Sequence, residues 1–171
     1  KSAPSSVSVS QSSLTLGVGE NYYISEKTNV GTYANAYNLK WTSSNSNVAV
    51  VEKQDKNKAK IIAKSTGIAK ITVKLYNGKT ATCQLTVKSA PTAVKINTGK
   101  VEVSLGKSEK IYQVTNKNSY AKNFTWQSSD DSIATVAKTS NNYAMVTGKR
   151  PGKATIKVTL YNGKSASCEV T

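Results

Sequence analysis

The sequence predicts an all-β protein that consists of two antiparallel β-sandwiches in tandem. Three observations carry this prediction. The second half of the chain repeats the first, apolar and polar residues alternate over short segments, and a tryptophan stands at the same place in each half. A period of two marks strands with one buried face, and seven or eight short strands in each half are typical of a sandwich.

The chain is strongly basic, and its charge is spread along its length. Its 171 residues include 24 Lys and Arg against 9 Asp and Glu, which gives a net charge of +15. Residues 1–88 carry 12 basic and 4 acidic side chains, and residues 89–171 carry 12 and 5, so the halves hold +8 and +7. Such an even distribution excludes a single basic tail. No apolar run is long enough to span a bilayer, and we expect no membrane insertion.

The repeat defines the domain organisation. The segment "WTSSNSNVAVVEK" from Trp41 aligns with "WQSSDDSIATVAK" from Trp126, and residues 41–86 share 21 of 46 positions with residues 126–171. Self-similarity over this length indicates two copies of one domain. We therefore predict one domain over residues 1–88 and a second over residues 89–171.

The tetrapeptide "KSAP" occurs at Lys1 and again at Lys88. At Lys88 it joins the last strand of one copy to the next copy, so its presence at Lys1 suggests a preceding domain. The sequence also ends at Thr171, two residues short of the counterpart of Lys88. We expect neighbouring domains in a longer chain. Pro91 biases Ala90 toward an extended backbone, which limits swing between the copies.

The pentapeptide "LYNGK" closes a hairpin in each copy, at residues 75–79 and 160–164. A two-residue Asn-Gly turn would pair Leu75 with Thr80 and bury a row of polar side chains. A three-residue loop pairs Leu75 with Lys79 and turns both apolar rows toward one core. We therefore predict a type I turn followed by Gly78 in the left-handed region, and the same geometry at Gly163.

The remaining strands follow from short apolar alternations between turn-rich clusters such as "SSNSN" and "STG". In the first copy we predict them at residues 7–9, 14–18, 22–25, 39–41, 48–51 and 59–63. Trp41 and Trp126 are predicted to be central core side chains. Cys83 and Cys168 stand one in each copy, and we expect small buried apolar residues there in place of a disulfide or metal ligands.

These motifs resemble a known family. The first copy reads "WTSSNSNVAVV", "AKSTGIAKITV" and "TCQLTV", and the second reads "WQSSDDSIATV", "GKRPGKATIKV" and "SCEVT". Both are similar to the bacterial immunoglobulin-like domain, group 2, of intimin- and invasin-type surface proteins. The resemblance implies an immunoglobulin-like sandwich in a secreted or cell-surface protein, and it brings no catalytic residues. The tyrosine-rich stretch between Asn21 and Leu39 is longer than the family pattern.

The sequence contains few of the residues that enzymes use for catalysis. The sequence has no histidine, which removes the commonest general base, the Ser-His and Cys-His pairs and most zinc sites. We expect no catalytic residue, no cofactor and no metal. The adjacent carboxylates Asp130 and Asp131 are predicted to cap a turn, since a calcium site needs several converging oxygens.

Lysines and tyrosines are the candidate binding residues. Alternation places Lys70, Lys74, Lys153 and Lys157 on outward strand faces, where a polyanion could lie. The alternative is a solvated surface that discourages edge pairing. Without a recognition helix or a Gly-rich loop, we expect no specific nucleic-acid partner. Tyrosines could stack on sugars or pack the sandwich end, and the candidates are Tyr22, Tyr23, Tyr33, Tyr37, Tyr112 and Tyr120.

Together these features favour a non-catalytic, monomeric tandem module of a larger secreted or cell-surface bacterial protein. It would act as a stalk or spacer, with a role in adhesion also open. The alternative is a binding module for acidic glycans or cell-wall polymers through the lysine-rich strand faces.

Overall fold

The computed structural model describes residues 3–29, 38–139 and 142–171. The chain divides into two compact units, which we call unit 1 (Lys1–Ser89) and unit 2 (Ala90–Thr171). The described residues form sixteen strands, eight in each unit. In these ranges no helix is long and apolar enough to cross a membrane.

Unit 1 is a sandwich of two four-stranded sheets. Its sheets have the strand orders β1-β3-β6-β5 and β2-β8-β7-β4. The eight strands are β1 (Val7–Val9), β2 (Ser13–Gly17), β3 (Asn21–Thr28), β4 (Lys40–Ser43), β5 (Ala49–Lys53), β6 (Lys58–Ala63), β7 (Gly67–Lys74) and β8 (Thr80–Lys88).

Unit 2 repeats this topology. Its sheets have the strand orders β13-β14-β11-β9 and β10-β16-β15-β12. The strands are β9 (Val94–Ile96), β10 (Lys100–Val101), β11 (Ser108–Thr115), β12 (Phe124–Ser128), β13 (Ala134–Lys138), β14 (Tyr143–Gly148), β15 (Ala154–Leu160) and β16 (Ser165–Val170).

The predicted fold class is confirmed, with one departure from a purely antiparallel arrangement. The first strand of the second sheet pairs in parallel with the last strand of its unit, as β2 does with β8 and β10 with β16. The other strand pairs are antiparallel. Alternation indicates which face of a strand is buried, but it carries no information on the direction of the neighbouring strand.

The hairpin between β7 and β8 has the predicted register. Val73 stands opposite Ala81, and the Leu75 amide donates to the Lys79 carbonyl over 2.9 Å. Gly78 has φ +86° and Gly163 has φ +81°. Both loops therefore depend on a backbone conformation that glycine adopts at little cost.

Unit 1 has one continuous core, whereas the core of unit 2 forms two clusters. Trp41 is 8 % exposed and packs within the single core. Trp126 packs against both clusters of unit 2 but is only partly buried. The predicted central position is confirmed for Trp41. Trp126 is less buried than predicted, and it also lines an open cavity of about 430 Å³.

Both cysteines are buried and unpaired, as predicted. Burial raises the pKa of the Cys83 thiol and of the Cys168 thiol by desolvation. Since the thiolate is the reactive form, both side chains behave as small apolar core residues.

Candidate functional site

One sheet of unit 1 presents lysine and threonine side chains outward. Lys70 and Lys74 are exposed on β7, and Lys74 stands directly opposite Lys40 on β4. Lys88 ends β8 and is also exposed. We call this surface the lysine face. Its other residues are Ser13, Thr15, Thr42, Ile68, Thr72, Thr80, Thr82, Gln84 and Thr86. None of the nine Asp and Glu residues of the chain lies on this face.

The corresponding face of unit 2 differs in charge. Lys153 and Lys157 are exposed, as predicted, but the Lys153 Nζ lies 3.7 Å from the Glu169 Oε1. Lys100 on β10 makes a second ion pair, in which its Nζ lies 2.9 Å from the Glu102 Oε1. The surface of unit 2 is therefore mixed in charge, whereas the lysine face of unit 1 is positive throughout.

The two faces also differ where the edge strand pairs with its neighbour, which is β4 with β7 in unit 1 and β12 with β15 in unit 2. Where Lys40 stands opposite Lys74 in unit 1, Thr125 stands opposite Thr159 in unit 2. Lys70 likewise has Thr155 as its counterpart in the repeat. Unit 2 thus shows that threonine is accommodated at each of these positions.

In both units, a pair of asparagines makes hydrogen bonds to the segment that precedes the first strand of the unit. The Asn77 Nδ2 donates to the Pro4 carbonyl over 2.7 Å, and the Asn162 Nδ2 donates to the Pro91 carbonyl over 2.7 Å. The sequence predicts a turn at "LYNGK" and does not predict this second hydrogen bond. The turn role is present too, since each Asn Oδ1 accepts from the lysine amide two residues on.

The other asparagine of each pair directly follows the third strand of its unit. The Asn29 Oδ1 accepts hydrogen bonds from the amides of Ser5 and Ser6. The Asn116 Oδ1 accepts from the amides of Thr92 and Ala93, over 2.9 and 3.2 Å. We call each pair the asparagine clamp. The sequence carries one sign of the clamp. Asn29 and Asn116 are separated by the same number of residues as the two copies of "KSAP".

The clamp leads to a prediction in unit 2. Replacement of Asn162 by aspartate removes the donor to the Pro91 carbonyl and keeps the acceptor for the Lys164 amide. We expect a loss of about 1 kcal/mol in the unfolding free energy of unit 2, because a partly buried acceptor loses its partner. Hydrogen exchange at the Thr92 and Ala93 amides should accelerate. The matched control is N77D, which should leave exchange at Thr92 and Ala93 unchanged; acceleration in both variants would contradict the local clamp.

The candidate tyrosines of the described residues lie in different surroundings. Tyr22 and Tyr23 are neighbours on β3, so their side chains point to opposite faces of the sheet. Tyr22 packs on the core of unit 1, and Tyr23 is 60 % exposed. In unit 2, Tyr112 and Tyr120 line one open cavity of about 520 Å³. The predictions for Tyr33 and Tyr37 fall outside the described residues.

Of the adjacent carboxylates, Asp130 acts in a turn, as predicted. The Asp130 Oδ1 accepts from the Ser132 amide over 2.8 Å and from the Ser132 hydroxyl over 2.6 Å. These hydrogen bonds lower the pKa of the Asp130 carboxyl, with the serine hydroxyl as the first cause. Asn45 accepts from the Asn47 amide in the same way in unit 1. Across the described ranges, no three Cys, Asp or Glu side chains are grouped to hold a metal ion.

A buried polar side chain occupies the same position of the third strand in both units. Glu26 is 7 % exposed and Gln113 is 8 % exposed. The Glu26 amide donates to the Asn57 carbonyl and the Gln113 amide to the Asn142 carbonyl, each over 2.9 Å. The Glu26 Oε2 and the Gln113 Oε1 are both buried without a hydrogen-bond partner. Burial raises the pKa of the Glu26 carboxyl above its ordinary value of 4.5 by desolvation.

This arrangement predicts that E26Q stabilises unit 1 at neutral pH. Because the folded-state pKa of Glu26 lies above the unfolded value, unit 1 loses stability as pH rises from about 4.5 through that raised pKa. Glutamine removes the buried charge, and we expect a gain in the unfolding free energy of unit 1 near pH 7. Near pH 4 the variant and the wild type should unfold at closely similar temperatures.

Thermal unfolding monitored by circular dichroism at both pH values measures the difference. Unit 2 is the internal control, since Gln113 already occupies this position. Equal midpoints for wild type and E26Q near pH 7 would show that the Glu26 carboxylate is solvated after all.

Comparison with known proteins finds a family match in the second half of the chain. Residues 90–170 match the family model of the bacterial Ig-like domain (group 2). No curated protein matches the sequence closely enough to count as a relative.

Solved structures with a similar fold include surface proteins. Domains 1–6 of the surface layer protein SbsC are 18 % identical, with a TM-score of 0.44, and the match covers 99 % of this chain and 28 % of that chain. A fragment of intimin in complex with the intimin-binding domain of its translocated receptor is 14 % identical, with a TM-score of 0.39 and coverages of 99 % and 64 %.

The Yersinia pseudotuberculosis adhesin InvE is 13 % identical, with a TM-score of 0.39 and coverages of 97 % and 58 %. The chain thus spans less than two thirds of each of these three proteins as solved. Residues 90–170 are thus similar to the bacterial Ig-like domain (group 2), and unit 1 repeats the sequence and the strand topology of unit 2.

Proposed function

We propose that this chain is a non-catalytic spacer within a larger secreted or cell-surface bacterial protein. Residues 1–88 and 89–171 would be two domains that fold independently and hold neighbouring domains away from the surface. A role in adhesion would then belong to the neighbouring domains that the spacer holds. The Ig-like family match supports a structural module of this kind.

The observation that carries the proposal is the short connection between the last strand of unit 1 and the clamp of unit 2. Lys88 is still paired with Gly17 in the ladder, and its carbonyl accepts from the Val18 amide over 2.9 Å. The Pro91 carbonyl is already held by Asn162. Only Ser89 and Ala90 lie between these two fixed points, and the residue before a proline favours an extended backbone.

Small-angle X-ray scattering tests the spacer role. A stiff spacer predicts an extended two-domain particle with a narrow distribution of distances. A variant with a short Gly-Ser insertion between Ser89 and Ala90 should give a broader distribution, because such linkers behave as flexible coils. A compact wild-type particle, or an insertion that changes nothing, would contradict the proposal.

A second candidate function is the binding of acidic glycans or cell-wall polymers. It is supported by the exposure of all four lysines that were singled out on the strand faces, at residues 70, 74, 153 and 157. Ionic attraction of this kind weakens as salt screens the charges. Binding to a glycan array at low salt, with loss at high salt, is the expected result. Absence of binding at low salt would eliminate this candidate.

A further inference from the structure

We infer that the lysine face of unit 1 is a docking surface for an extended acidic polysaccharide. This inference rests on the second candidate function above and assigns it to one face and one class of polymer. The corresponding face of unit 2 is not part of the site.

Edge protection does not explain the lysines of this face. Lysine on an edge strand discourages pairing with other chains, and Lys40 lies on the edge strand β4. Lys70 and Lys74, however, lie on β7, which is an inner strand bonded to β8 and β4. Because both sides of an inner strand are already hydrogen-bonded, a lysine there is not needed to prevent pairing with another chain.

Stability does not explain them either. Like charges that stand directly opposite in an antiparallel pair are destabilising, and Lys40 and Lys74 form such a pair. No carboxylate on this face offsets the repulsion, whereas Lys100 and Lys153 in unit 2 each have an acidic partner. Threonine stands at both counterpart positions of unit 2. A polyanion laid over the face would supply the missing negative charge.

The spacing of the lysines suits an elongated ligand. Lys70 and Lys74 are four residues apart on one strand, which separates them by about 13 Å. Gln84 stands opposite Lys70 on β8, and Lys88 lies four residues beyond Gln84, about 13 Å further along the sheet. The positive charges therefore form a stripe along the strands of about 26 Å.

The residues between the lysines favour a polysaccharide over a nucleic acid. Thr42, Thr72 and Thr82 lie side by side on three neighbouring strands, and their hydroxyls can donate and accept hydrogen bonds with sugar hydroxyls. The strands of the lysine face carry no outward aromatic ring, and the exposed Tyr76 lies in the loop after β7. Single-stranded nucleic acids rely on stacking of successive bases on several aromatic rings. The face of this four-stranded sheet also presents no helix that could enter a groove of a duplex.

The repeat supplies the variants for a test. The triple variant K40T/K70T/K74T places on unit 1 the residues that unit 2 already has at these positions. Threonine suits strands, and the variant relieves the Lys40–Lys74 repulsion, so its circular dichroism spectrum should be unchanged. The control is K100T/K153T/K157T, which lowers the net charge by the same amount on the face of unit 2.

Binding of the full chain to polygalacturonate and dextran sulfate would be measured by calorimetry at several salt concentrations. Uncharged dextran and single-stranded DNA serve as the other ligands. We expect the wild type and the control to bind the acidic polysaccharides, and K40T/K70T/K74T to bind about tenfold more weakly. The dependence of log Kd on log salt should become shallower by about 1 for each lysine that makes a contact.

The failures are distinguishable. If the wild type binds neither acidic polysaccharide, the second candidate function fails with this inference. If it binds and both triple variants lose the same affinity, binding follows net charge and the assignment to unit 1 is wrong. If single-stranded DNA binds as tightly as the polysaccharides, the assigned class of polymer is wrong.

Discussion

W41A is expected to lower the thermal unfolding midpoint of unit 1 by roughly 15 °C or more and to leave unit 2 unchanged. Trp41 is 8 % exposed and packs within the single core of unit 1. Truncation of a buried tryptophan to alanine costs about 3–5 kcal/mol, because the apolar contacts are lost and a cavity remains. Differential scanning calorimetry of the full chain measures both transitions.

The matched variant is W126A. Trp126 is partly exposed and lies between two smaller clusters, so we expect a smaller loss, confined to unit 2. A shift of both transitions by either variant would mean that the two units share one cooperative fold.

G67A is expected to destabilise unit 1 by about 2–4 kcal/mol. Gly67 has φ +145°, a region that is open essentially to glycine alone, and an added Cβ would lie 2.8 Å from the Cγ2 of Val48. Val48 is 6 % exposed and its branched side chain is stiff, so it cannot move aside at low cost. Chemical denaturation of the full chain measures the change.

Two other glycines are the controls. In G152A the added Cβ would lie 2.9 Å from the Cδ1 of Ile133, the flexible end of a partly buried side chain, and we expect a smaller loss in unit 2. At Gly99 no atom lies within 4 Å of an added Cβ, so G99A should be close to neutral. A G67A variant as stable as G99A would contradict this packing.

The hairpin illustrates what the sequence predicts well. Its register depends only on local alternation, since a slip of one residue would turn Thr80 and its row into the core. The observed pairing of Val73 with Ala81 and the positive φ of Gly78 follow from that constraint. The turn role of Asp130 is local in the same sense.

Features that depend on distant partners were not predictable in the same way. Asn77 and Pro4 are separated by 73 residues along the chain, so the clamp has no local pattern. The parallel pairing of β2 with β8 likewise leaves the alternation of each strand unchanged.

The candidate site was predicted in part. The alternation identified Lys70 and Lys74 as outward-facing, and they are exposed. Lys40 was missed, because its position opposite Lys74 depends on the register between β4 and β7. The balance of charge on each face also depends on register, since Glu169 of β16 stands beside Lys100 of β10. Sequence alone therefore does not distinguish the lysine face of unit 1 from the corresponding face of unit 2.

The most direct test of two self-sufficient sandwiches uses the halves as separate chains. Nuclear magnetic resonance spectra of residues 1–88 and of residues 89–171 would be compared with the spectrum of the whole chain. If each sandwich folds alone, every amide signal away from the join should superpose on its counterpart in the whole chain. An unfolded spectrum from either half, or signals displaced throughout it, would contradict independent folding.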